Sequence, residues 1–331
     1  FLVTTLIVCA FQFDEFKKYI ELEFPENWPE PVYDFSNNQL TEEKIYLGRQ
    51  LFYDPSLSRD KTISCSSCHL QFVGFTHIDH KLSHGIEGRK GNRNSPVLIN
   101  LAWNSSFHWD GGVNNLEVQP INPIQHPLEM DNSLDSVLSY LNRTPKYVEQ
   151  FTKAFGDSII TSKNMLKAIT QFTVSLVSSD SKFDQYVKKE VDFSDQEKNG
   201  YLLFKQNCNS CHTAPLFNSN NFASNGLPID PILKDLGRYS ITHVPSDSLQ
   251  FRIPTLRNIQ FSTPYMHDGR FKTLKDVIDF YCDQIDQNSP WLSDELKKKI
   301  ILTQNDRKDL IAFLYTLSDK KFLYNPKYQY P

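Results

Sequence analysis

Apolar positions recur at helical rather than strand spacing along most of this chain. Over residues 41–52 the stripe is Ile45, Leu47, Leu51 and Phe52, with Thr41 placed to cap the start and Glu42 and Glu43 suited to its positive end. Further helices are expected over 133–141 and from Thr144-Pro145, where proline suits the first helical position. A longer helical stretch is expected over 164–188. Ser194-Asp195-Gln196-Glu197 is a capping box that opens another helix. Thr273-Leu274-Lys275-Asp276 has the same logic for a helix through residue 281, and the last clear helix covers about 305–317. No stretch alternates long enough to be a strand. Residues 70–130 are rich in Gly, Asn, Pro and His and carry little periodicity, and residues 213–250 are similar. Loops of that length in a compact protein are usually functional. The pattern predicts a mostly α protein with long loops that wrap a cofactor.

The chain has 331 residues, 39% of them hydrophobic, enough for two ordinary domains with real cores. The net charge of −4 and the absence of a basic block argue against nucleic acid as a partner.

The chemistry lies in a run that occurs twice, Cys65-Ser66-Ser67-Cys68-His69 and Cys208-Asn209-Ser210-Cys211-His212. C-x-x-C-H is the attachment pattern of a c-type haem. Both thiols add to one porphyrin, and the adjacent histidine is held beneath the ring to ligate the iron. A zinc site needs four ligands, and a redox dithiol has no use for a histidine after both copies. Two covalent haems are expected, one per domain, with His69 and His212 as proximal ligands. Of the remaining cysteines, Cys9 and Cys282 suggest no disulfide. Residues 1–13 are apolar but too short to span a bilayer, and are expected to be the remnant of an export signal. Leu6-Ile7-Val8-Cys9 is a loose lipobox, so Cys9 is a candidate lipid-attachment site. Export suits this cofactor, which is attached outside the bacterial cytoplasm.

Taken together, LGRQLFYDPSLS, NSPVLIN, HWDGG, PINPIQHPLEM, FRIPTLRN, TPYMHDG and LKDVIDFY resemble the bacterial di-haem cytochrome c peroxidases and their MauG-like relatives over about residues 40–318. The resemblance implies two cytochrome c-like domains, over residues 25–190 and 191–318, and a tail at 319–331 that returns to the first. It implies that the first haem reacts with hydrogen peroxide. Glu129 and Gln119 match the distal acid–base and orienting residues, Pro123 a residue of the pocket roof, and Trp109 an aromatic between the haems. Arg252 and Arg257 match positions near haem propionates. Asn94, Ser262 and Pro264 match a calcium site between the domains, for which oxygen ligands are apt. Among His77, His80 and His84, His84 is the candidate distal ligand that cytochrome-dependent members carry.

The second haem's sixth ligand separates the branches. Cytochrome-dependent enzymes place a methionine fourteen residues after the histidine of TPYMHDG. Here that histidine is His267, and fourteen residues on is Tyr281. Tyrosine there resembles MauG and implies oxidation of a partner protein in the periplasm. The alternative is detoxification of peroxide with electrons from a small cytochrome or cupredoxin, with Met266 as the competing ligand. A pure di-haem electron carrier is the rival from another class, and Gln119 with Glu129 argues against it. Either enzyme is compatible with a monomer or a homodimer.

Overall fold

The computed structural model describes residues 19–331. The expected signal remnant at residues 1–13 and the lipid-attachment candidate Cys9 lie outside the described residues. The described part is mostly helical, and its one sheet is a two-residue antiparallel pair, Phe222–Ala223 with Phe251–Arg252.

Among the described residues, two of the hydrophobic cores are each built around one close helix crossing. In the first, the helix Glu42–Tyr53 is capped by the Thr41 side chain. It crosses Ser162–Val174 so tightly that a Cβ on Gly48 would overlap the carbonyl of Ala168. In the second, the helix Asp195–Asn207 opens with both hydrogen bonds of the Ser194–Glu197 capping box. It crosses Gln304–Tyr315 in the same manner, with Gly200 against the carbonyl of Asp309. Glycine is required at both points because backbone meets backbone. Leu47, Leu51, Val137, Leu141 and Phe151 fill the first core; Phe204, Phe217, Leu310 and Phe313 fill the second. The haem-attachment runs lie just beyond these crossings.

The stretch expected to be helical over 164–188 is two helices, Ser162–Val174 and Lys182–Val187. The break lies in a serine-rich segment whose N–H groups find partners outside a helix. Ser178 N–H donates to Asn100 Oδ1 (2.9 Å), and the N–H groups of Ser179 and Asp180 both donate to Asp319 Oδ2 (3.0 Å each). Asp319 thereby joins the break to the C-terminal tail. That tail runs back over the first half of the chain. Arg49 Nη1 donates to Lys327 O (2.6 Å), Tyr53 Oη to Tyr328 O (2.7 Å) and Gln71 Nε2 to Asn325 O (2.8 Å), while Phe322 and Leu323 pack with Phe52, Phe75 and Phe172. Among the described residues, no helix is long and apolar enough to cross a membrane.

Candidate haem sites

Each C-x-x-C-H run places its histidine in the same way. Cys65–Cys68 is one turn of helix, with the side chains of Ser64 and Ser67 closing its start. It leads to His69, whose Nδ1 donates to the carbonyl of Phe75 (2.8 Å). His212 Nδ1 lies 3.2 Å from Phe217 O and 3.1 Å from Pro254 O. A carbonyl partner on Nδ1 leaves the lone pair on Nε2, the arrangement that orients a metal-ligating imidazole. Burial holds both histidines near pKa 4, far below the ordinary value, so they are neutral at pH 7. The four cysteines of the two runs carry free thiols, and so does the buried Cys282. Burial raises Cys65 to about 12 and Cys68 to about 11.

The second run opens onto a large cavity between the two halves of the chain. Its walls include Cys208, Cys211, His212, Met266 and Tyr281, and across from them Trp109, Asn94 and Arg252. Arg252 is a buried guanidinium whose pKa burial alone lowers to about 10. Its hydrogen bonds are to backbone: Nε donates to His108 O (3.3 Å), and its own backbone N–H to Trp109 O (2.7 Å). A buried cation without a carboxylate partner is costly unless an anion meets it. A haem propionate is such an anion, and the free thiol pair, oriented histidine and mostly apolar walls suit the rest of the group. The residues of this site fit a covalent haem.

Arg257 does not join that wall. It is fully buried and committed to Asp184 through two bonds of 2.8 and 2.7 Å, with Nε on Pro215 O and the guanidinium over the Trp28 ring. Its charge is already compensated within the protein, so the geometry does not support the propionate role expected for it.

Tyr281 reaches the cavity from an irregular segment. The helix Leu274–Asp279 widens into a π-turn over Phe280–Gln284, a feature often found at functional sites. Its phenol is pushed up to about 12 by burial, with a hydrogen bond from Asn225 acting the other way. A phenolate there at neutral pH therefore needs a nearby cation, which ferric iron supplies when bound. Asn225 also approaches Met266, so both expected sixth-ligand candidates flank the same amide.

Around the first run, Glu129 sits close enough to Cys65 and Cys68 for its charge to raise both thiols. Burial raises the Glu129 carboxyl above the ordinary carboxylate range, while His126 at 3.9 Å acts in the opposite sense. The side chain still keeps 37% of its surface accessible, so the carboxyl can meet a small molecule. Gln119 Nε2 is 3.4 Å from His108 Nε2, and the charge of His108 is felt at His69. Pro123, in the short helix Ile121–Gln125, accepts the N–H of Met130 (3.1 Å) and ties this turn to Glu129. Sequence reasoning missed His108, although it stands beside Trp109 in HWDGG. It also missed Asn225, for which no local pattern exists.

Trp109 lies where the halves meet. Its Nε1 donates to Asn94 O (2.8 Å), its ring meets His267 edge-on at 6.5 Å, and its carbonyl holds Arg252. Asn94 N–H in turn donates to His267 O (2.7 Å), and Asn94, Ser262 and Pro264 share one cavity wall. Arg93, not singled out from the sequence, clamps the same junction through Asp110 and Asp235. The three loop histidines come together as a cluster, and His84 O accepts from Cys68 Sγ (3.4 Å).

Comparison with known proteins places most of the chain among similar sequences and folds. The family described as di-haem cytochrome c peroxidase matches residues 42–192. The methylamine utilization protein MauG of Methylorubrum extorquens is 35% identical over 300 residues, covering 88% of this chain and 82% of the relative. The cytochrome c551 peroxidase of Pseudomonas aeruginosa is 33% identical, covering 92% and 85%. Among solved structures, a MauG-like protein associated with microbial copper homeostasis superposes with a TM-score of 0.86 at 32% identity, covering 94% of this chain and 99% of that one.

Proposed function

The chain belongs to the di-haem cytochrome c peroxidase family, and from that premise we propose that it is an oxidoreductase reducing hydrogen peroxide at the haem on Cys65, Cys68 and His69. Cys208, Cys211 and His212 would hold a second haem, which would supply a relay or store for the oxidising equivalents. When bound, the two haems supply the redox chemistry, and every proton is handled by side chains. The observation that carries the reading is Glu129, a half-buried carboxyl beside the first attachment pair with its pKa raised. Such a group takes a proton from the near peroxide oxygen and returns it to the leaving oxygen. Gln119, held near His108, orients the peroxide, and Pro123 covers the pocket. Trp109, in contact with Asn94 and His267, couples the two halves. Arg252 pairs with a propionate of the second haem. Asn94, Ser262 and Pro264 bind calcium at the junction.

The electrons come from residues of a partner protein, in the manner of MauG, and Tyr281 as sixth ligand supports this. Its position on a π-turn, inside the second cavity, is what favours it over an ordinary core aromatic. A second reading takes electrons from a small cytochrome or cupredoxin, and the approach of Met266 to the same amide favours it. Residues 25–190 and 191–318 form the two haem domains, and the enzyme works in the periplasm, where its haems are attached.

Absorption and spin-resonance spectra of the oxidised protein, before and after one equivalent of peroxide, test the reading. A high-spin first haem that reacts at once is expected. Two low-spin haems indifferent to peroxide would instead identify an electron carrier.

A further inference from the structure

The loop after the first attachment run holds three histidines that the peroxide chemistry leaves without an assigned task, apart from the iron-ligand role expected for His84. Two of them spring from anchored backbone. Thr76, before His77, accepts Leu70 N–H at its carbonyl (2.8 Å) and donates its hydroxyl to Ser95 O. His84 is bridged to Lys90, and Gly85 N–H donates to Arg89 O (2.8 Å). His80 lies between them on exposed loop. One ring nitrogen from each histidine lies within 4.8 Å of the other two, and the ring centroids are 4.3 to 6.1 Å apart. Independently, Nδ1 of His77 and Nδ1 of His84 are both buried without a hydrogen-bond partner. An orphaned buried nitrogen costs about 1–3 kcal/mol, so two in one small cluster call for a ligand.

We propose that His77, His80 and His84 bind one divalent transition-metal ion, Cu2+ or Zn2+, separately from the haem irons. Three imidazoles and no carboxylate suit these ions and not calcium or magnesium. Around a tetrahedral ion with bonds of about 2.0–2.1 Å the nitrogens stand about 3.4 Å apart. Two histidines are already anchored, and His80, on exposed loop, closes the remaining gap. Water completes the fourth position. The loop so pinned also touches the first haem site. His84 O lies 3.4 Å from Cys68 Sγ, Ile86 N–H donates to Glu129 O (2.8 Å), and Lys81 O accepts from Asn94 Nδ2 (3.1 Å). A bound ion therefore stiffens the chain that holds an attachment thiol, the acid–base segment and the junction between the halves.

The test uses the di-haem protein freed of loose metal by a chelator. Calorimetric titration with Zn2+ should show one saturable site. Added Cu2+ should give an axial spin-resonance signal with nitrogen splitting, distinct from ferric haem. His77→Ala, His80→Ala and His84→Ala should each weaken binding by about tenfold or more, while His243→Ala changes nothing. Amide exchange over residues 77–90 should slow with Zn2+. Absence of saturable binding, or equal binding by the triple variant, overturns the proposal. So does a protein that takes no Zn2+ and whose first haem turns high-spin in His84→Ala, because His84 then belongs to the iron. Haem content and peroxide reaction are read separately, so failure here leaves the peroxidase reading standing.

Discussion

Tyr281 and Met266 share one partner, the side-chain amide of Asn225, whose Nδ2 stands 3.3 Å from Tyr281 Oη and 3.7 Å from Met266 Sδ. Two potential ligands of opposite character therefore face one cavity, and which one meets iron decides the class of reductant. A phenolate is anionic and lowers an iron potential, whereas a thioether raises it.

With Tyr281 as the ligand, Tyr281→Phe changes the second haem's spectrum and shortens the life of the peroxide-oxidised protein, and Met266→Leu changes neither. Tyr281→Met raises the second potential and improves turnover with cytochrome donors. A thioether charge-transfer band in the near infrared of the wild type assigns Met266 and the cytochrome-dependent reading instead.

Glu129→Gln should keep both haems and their spectra while slowing the reaction with peroxide by roughly two to four orders of magnitude. The wild-type rate should fall as pH drops through a midpoint above the ordinary carboxylate range, because burial raises this pKa and the base must be ionised. Stability moves the other way. Between the ordinary and the raised value the folded state holds more protons than the unfolded one, so rising pH lowers stability across that window. Glu129→Gln should remove that slope from denaturation curves; an unchanged rate in the variant takes Glu129 out of the mechanism.

Arg257 and Asp184 form a buried pair, with bonds of 2.8 and 2.7 Å and almost no solvent contact. Removing one charge strands the other. Asp184→Asn should cost about 3–5 kcal/mol in denaturant unfolding, and Asp184→Leu combined with Arg257→Met should cost less than the sum of the single changes. Equal and additive losses would contradict the pairing.

Gly200→Ala places a methyl against the carbonyl of Asp309, and Gly48→Ala does the same against Ala168. Each should destabilise by about 1–3 kcal/mol or more, since the helices must part. Haem occupancy should fall at the second site for Gly200→Ala and at the first for Gly48→Ala, measured by mass of the intact protein.

Arg252→Met should lower the potential of the second haem, because a buried cation beside the ring favours the reduced state. Redox titration reads the shift. A potential unchanged by the substitution shows that Arg252 does not face that haem.

Local chemistry was legible before any coordinates. C-x-x-C-H places two thiols and a histidine within one turn, and Thr41, Ser194 and Thr273 announce their helices, because these features depend on residues at most a few positions apart. The split of the helical stretch after residue 174 was not legible. The competing partners, Asn100 and Asp319, lie far away in the chain. The same reason hid the commitment of Arg257 to Asp184 and the solitude of Arg252, two arginines that look alike in FRIPTLRN. It hid Asn225 between Tyr281 and Met266, and it hid the convergence of His77, His80 and His84, whose rings meet because Thr76 and His84 are pinned at both ends of one loop. Residue type and spacing determine which groups can bind haem. Tertiary packing decides which buried charge has a partner, because desolvation depends on what folds around it.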